Sequence, residues 1–169
     1  MEAPVISRRR RRVLIAVMTV VFVVAAVFTA YLAGVFDDEG DFRTEPEACT
    51  SLQSSMPRLG APYVAKPDGK NNCDLWLPDS DGPKLTVAYA VISASRGDAP
   101  DAASTKLREF APLGFVELPN LADEAYIRVT SLYFRVSNLL VGITVYPEPA
   151  STQAAVQTFA RDLAEQLRA

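Results

Sequence analysis

Histidine is absent from this 169-residue chain. That removes the Ser-His-Asp and Cys-His arrangements, the commonest metal ligand and the side chain that titrates near neutral pH. Lysine is scarce, at Lys66, Lys70, Lys84 and Lys106. A Ser-Lys pair would have to come from Ser104 and Lys106, and two positions apart on a helix they do not face each other. The eight glycines form no phosphate-cradling loop, and no repeat is evident. Two cysteines without histidine are too few for a zinc site, which takes four ligands. These absences leave no catalytic constellation, so no enzymatic activity, catalytic residue, metal or cofactor is expected.

What the chain does have is one long uncharged run, from Val13 to Ala33, inside an expected span of residues 13–36. At ~1.5 Å per residue a helix over this run is ~31 Å long, close to the ~30 Å of a bilayer's hydrocarbon core. A secretory signal is the competing reading. Its apolar region is shorter, and it needs small residues before the cleavage point, where Tyr31-Leu32-Ala33 places a tyrosine. The run is therefore expected to stay in the membrane as a single-pass signal-anchor. Arg8, Arg9, Arg10, Arg11 and Arg12 precede it and act as the topology signal, because positive charge stays on the cytoplasmic side. Each arginine also attracts anionic headgroups by about 1 kcal/mol. The expected map is a basic cytoplasmic tail at 1–12, a transmembrane helix at 13–36, a polar linker at 37–44 and an extracytoplasmic domain at 45–169.

Beyond the anchor, 19 acidic residues face 12 basic ones. That balance argues against nucleic acid as a partner, since nucleic acid needs a clustered basic patch. The bilayer and an envelope protein are the expected partners. Cys49 and Cys73 both fall in the outer segment, where an oxidising compartment favours a disulfide.

The outer segment alternates helical and strand patterns. Thr44, Pro46 and Glu47 have the spacing of a capped helix start, with Cys49, Leu52 and Met56 on one face and Pro57 and Gly60 at its end. "CDLW" and "KLTVAYAVIS" read as strands. Asp101 is placed to cap a short helix carrying Leu107 and Phe110. "AYIRVT", "LYFRV" and "LLVGITV" read as further strands, with a turn or bulge near Thr130-Ser131 and a tight turn at Ser137-Asn138. The end of the chain is an amphipathic helix with Val156, Phe159, Ala160, Leu163 and Leu167 in one stripe. Short connections favour an antiparallel sheet with helices packed on it, an α+β fold of α/β/α sandwich type.

The motifs "ACTSL", "CDLW", "AYIRV" and "FRVSNLLVGITV", with the amphipathic helix after them, resemble a group of small actinobacterial cell-envelope proteins and lipoproteins of unknown function. The resemblance covers roughly Pro46 to Leu167. It implies a Mog1/PsbP-like sandwich and an envelope location, and it transfers no active residues. This chain departs from the lipoproteins in having a retained helix in place of a lipid-modified cysteine.

Some residues bear on chemistry. Asp123-Glu124 is a carboxylate pair of the kind used in acid/base work. Asp68, Asp79 and Asp81 offer oxygen ligands without the glutamate that closes a calcium loop, and a solvated turn is the favoured reading for these as for Asp123-Glu124. Arg128 and Arg135 alternate with apolar neighbours and mark a polar strand face. Arg96-Gly97-Asp98 matches a three-residue adhesion motif too short to carry weight, and Trp76 is read as core beside the bridge. The function expected is non-catalytic binding or scaffolding in the cell envelope; a small-ligand binder or a carboxylate-based hydrolase is the alternative.

Overall fold

Alternating burial along consecutive strands builds the sheet. In the computed structural model, which describes Thr19, residues 22–30, Leu32, Gly34, 37–95, 97–147 and 150–169, strand β7 (Leu139–Val145) buries Leu139, Val141 and Ile143 on one side. Its neighbours β3 (Leu85–Val91) and β6 (Ser131–Val136) bury Leu85, Val87 and Tyr89, and Leu132, Phe134 and Val136, on that same side. Strands β1 (Val64–Asp68) and β2 (Asn72–Trp76) extend the sheet at one edge, and β5 (Glu124–Arg128) and β4 (Val116–Glu117) at the other. The order is β1-β2-β3-β7-β6-β5-β4, antiparallel throughout, as the short connections required.

The dry face is covered by helix α1 (Ala48–Leu52), the 3-10 turn Met56–Leu59 and helix α3 (Gln153–Leu167). Helix α3 buries Val156, Phe159, Ala160 and Leu163 in the expected stripe and adds Ala164. Thr152 caps it, its hydroxyl accepting the Ala155 N–H. Disulfide Cys49–Cys73 ties α1 to β2, and Ser51 Oγ lies 2.8 Å from the Tyr89 hydroxyl, tying α1 to β3. Burial pushes that phenol up to about 12, against the lowering effect of the Ser51 hydrogen bond.

On the opposite face, helix α2 (Ala99–Arg108) packs over β5, β6 and β7 and buries Ala103 and Leu107. Phe110 stacks on Tyr133 at 4.2 Å between ring centroids. Tyr133 in turn lies across Gly142, where any Cβ would stand 2.8 Å from the ring, so the glycine makes room for the aromatic stack.

Several local expectations change. The first helix is shorter than its pattern suggested: α1 ends at Leu52, Glu47 occupies the N-cap, and no side-chain cap bond forms from the Thr44–Glu47 spacing. Strand β1 was hidden by Pro67, which an edge strand tolerates. The N-cap of α2 is Asp98, with Asp101 in the first turn. In the β6–β7 turn it is Ser137 that takes positive φ (53°), while Asn138 is buried. The phase change between β5 and β6 is a turn at Val129-Thr130, with Val129 at φ 39°. Trp76 lies outside the core cluster, half-buried on the open side of β2 with the Lys66 ammonium 4.0 Å above its ring.

The chain divides into two compact units, residues 1–37 and Asp38–Ala169. In the first, the described residues 22–30 are helical. Half of the expected span, including residues 13–18, and all of Arg8, Arg9, Arg10, Arg11 and Arg12 lie outside the described residues. Among the described residues no helix is long and apolar enough to cross a membrane.

Candidate functional site

Asp123 and Glu124 open strand β5, and the fold surrounds them with cations. Glu124 pairs across the β5–β6 ladder with Arg135, whose Nε donates to its carboxylate at 3.3 Å. From α2, the Ser104 hydroxyl donates to Glu124 at 2.5 Å and Arg108 Nε at 2.8 Å. Asp123 accepts the Ser137 N–H at 2.6 Å and Arg168 Nη2 at 2.6 Å, while Arg135 Nη1 stands 3.6 Å away. Two carboxylates and three guanidiniums therefore join β5, β6, α2 and the end of α3. The Glu124 side chain is only 9 % exposed and that of Arg135 only 18 %.

Burial alone would raise both carboxyl groups. At Asp123 the Ser137 N–H and the Arg168 and Arg135 charges overcome it and hold the group below its ordinary range. At Glu124 the Ser104 hydroxyl and the Arg108 and Arg135 guanidiniums do the same. Tyr126 moves the other way, raised by burial and by the Glu124 and Glu117 charges. A general acid at neutral pH needs a raised carboxyl. Here the pair is ionised and its oxygens are already bonded, which is the chemistry of a structural brace.

The other candidate residues do not converge. Ser104 serves Glu124, whereas Lys106 pairs with Glu109 at 2.8 Å. Arg128 donates to the Leu113 carbonyl at 2.7 Å and reaches over Phe115. Asp68 ends β1, and Asp79 and Asp81 are in the turn after β2. Among the described residues no group of three or more His, Cys, Asp or Glu could hold a metal ion. Arg96 lies outside the described residues, and Asp98 accepts the Asp38 N–H at 2.8 Å.

Sequence reasoning missed an apolar cleft of about 140 Å³ between one end of the sheet and the start of α3. Ile127, Leu132, Val145 and Val156 wall it, and Val129 and Tyr146 stand among its lining. About 150 Å³ of dry apolar space holds a benzene-sized molecule in other proteins. Its polar side chains are those of Thr130, Ser131, Tyr146, Ser151 and Gln153, with no carboxylate, amine or guanidinium among its described lining residues. The Ser151 hydroxyl is engaged, donating to the Leu59 carbonyl at 2.7 Å and lying 3.0 Å from the Tyr63 hydroxyl. Val129 is 86 % exposed and sits at positive φ, a conformation that β-branched residues resist. The wall residues come from distant segments, so no linear motif could show the cleft. An apolar residue at the tip of the "IRVTSL" turn was the only local sign.

No model of a known protein family matches the chain, and no curated protein matches it.

Proposed function

We propose that this chain is a single-pass membrane protein of the cell envelope, with a cytoplasmic N-terminus, whose outer domain binds or scaffolds without catalysing a reaction. The observation that carries this reading is the helical stretch 22–30. There Phe22, Val23, Val24, Val27 and Phe28 are all exposed, and together they point around most of the helix circumference. A helix apolar all round belongs in lipid or in a large core. The five arginines before it supply the orientation. The Cys49–Cys73 bridge suits the oxidising side of a membrane. The α+β sheet with its packed helices supports the sandwich expected from the resemblance.

The test is protease treatment of intact cells making the full chain with a tag at each end. Loss of the Ala169 tag and survival of the Met1 tag is the expected result. The reverse pattern, or protection of both tags, overturns it.

The cleft favours a second reading, in which the outer domain takes a small apolar ligand. The carboxylate hydrolase has the Asp123 and Glu124 ion pairs against it. Ligand-observed NMR of the full chain with benzene and cyclohexane, repeated with Val156→Trp to fill the cleft, separates the two. Binding that the substitution abolishes supports a ligand site, and no binding to either form removes it.

A further inference from the structure

The stretch "DDEGDFR" has the composition of a solvated spacer, yet most of it is bonded into the domain. The Asp38 N–H donates to Asp98 Oδ1 at 2.8 Å, and the Asp38 carbonyl accepts the Ala99 N–H at 2.7 Å. Gly40 N–H turns back to Asp38 Oδ1 at 2.8 Å. Asp41 N–H donates to the Ser137 hydroxyl at 3.0 Å. Asn138 then grips Phe42 from both sides: its Oδ1 accepts the Phe42 N–H at 2.9 Å and its Nδ2 donates to the Phe42 carbonyl at 2.8 Å. The same Nδ2 reaches the Ile92 carbonyl at 3.1 Å, and Asn138 is 1 % exposed. Phe42 packs against the core cluster. Gly40 lies at φ 76° with its α-carbon against the Asn138 side chain, where a Cβ would collide.

We infer that Asp38–Phe42 is a docked stem, clasped by Asn138 in the β6–β7 turn and by Asp98 at the start of α2, that stays bonded to the domain in solution as a fixed part of it. A side amide that satisfies both the N–H and the C=O of one distant residue does for that residue what a neighbouring strand would do. Eight free spacer residues would wander over roughly 5–6 Å times the square root of eight, about 15 Å. The stem removes that freedom from Asp38 through Phe42.

It also covers the surface at the β6–β7 turn. The apolar cleft lies at the opposite end of the sheet, because Leu139 begins β7 at the clasp and Val145 ends it at the cleft. The clasped end is thus occupied by the chain itself, and the clasp does not rest on the membrane-anchor reading.

The test is hydrogen exchange on the full chain in lipid nanodiscs, following the Asp41 and Phe42 amides with β7 as the internal standard. Both stem amides should exchange at least about 100-fold more slowly than an open chain. Asn138→Ala should lose at least about 10-fold of that protection. Gly40→Val opens the clasp from the stem side by driving a side chain against Asn138, leaves the residues of the β6–β7 turn unsubstituted, and should do the same while β7 stays protected. Stem amides that exchange at the open-chain rate in the unaltered protein, beside a protected β7, overturn the clasp whatever the variants do. Carbonate extraction of native membranes reads the anchor separately. A protected stem on a chain released by carbonate overturns the anchor and keeps the clasp.

Discussion

On one face of the sheet, Phe134, Val141 and Ile143 share a dry cluster with Phe159 and Leu163. On the other, Glu124 and Arg135 meet Ser104 and Arg108 from α2, and Tyr133 meets Phe110. The dry face gains from apolar area removed from water, about 25 cal/mol per Å², and needs no particular geometry. The charged face is held by direction and distance, and its partly buried ions are stable only as a complete set. Removing one methyl-bearing side chain leaves a hole in the first. Removing one charge leaves an uncompensated ion in the second.

That contrast can be tested from its strongest point downward. Phe159→Ala should cost about 3–5 kcal/mol, read from urea unfolding of the full chain in detergent. A loss below about 1 kcal/mol would mean the dry face does not dominate. Cys73→Ser opens the bridge between α1 and β2 and should cost about 3 kcal/mol, since a loop of this length then gains its freedom in the unfolded chain. Glu124→Gln should cost about 1–3 kcal/mol and leave Arg135 with only the more distant carboxylate of Asp123. Pairing it with Arg135→Gln in a double-mutant cycle should recover part of that cost, which additivity of the two losses would refute.

Acid should act on the charged face. Asp123 and Glu124 have folded pKa values below their unfolded ones. Their contribution is thus fully present above the unfolded carboxylate range, near pH 4, and is lost as pH falls through the depressed folded values. The melting temperature should stay level from about pH 7 to 5 and drop below about pH 4, with a shallower drop in Glu124→Gln. The smallest effect has the opposite sign. Val129→Asn suits the positive φ of its turn and should add about 1 kcal/mol of stability.

The dry face was legible because its physics is periodic. The stripe of α3 and the alternation of β7 can be read from spacing, and the bridge from the oxidising compartment expected for the outer segment. The brace was half legible. Asp123-Glu124 stood out as a pair, and Arg135 as a cation on a polar face, but their meeting depends on β5–β6 register and on where α2 lands. That is why a pair whose favoured reading was a solvated turn, with acid/base work as the alternative, is instead a set of ionised, bonded groups with Glu124 nearly buried. Strand β1 was obscured by Pro67, and Asn138 was read as a turn residue when its side chain serves a segment 96 positions away. Such long-range side-chain bonds leave no trace in local composition.

Trp76 is the chain's single tryptophan, and it sits beneath the Lys66 ammonium, outside the core cluster. Its indole nitrogen is buried without a hydrogen-bond partner among the described residues. The protein thus carries one built-in fluorophore, placed next to an outer strand and away from the core. Its emission will register events at that rim, such as the approach of a ligand or the peeling of β1, while remaining nearly blind to repacking beneath α3.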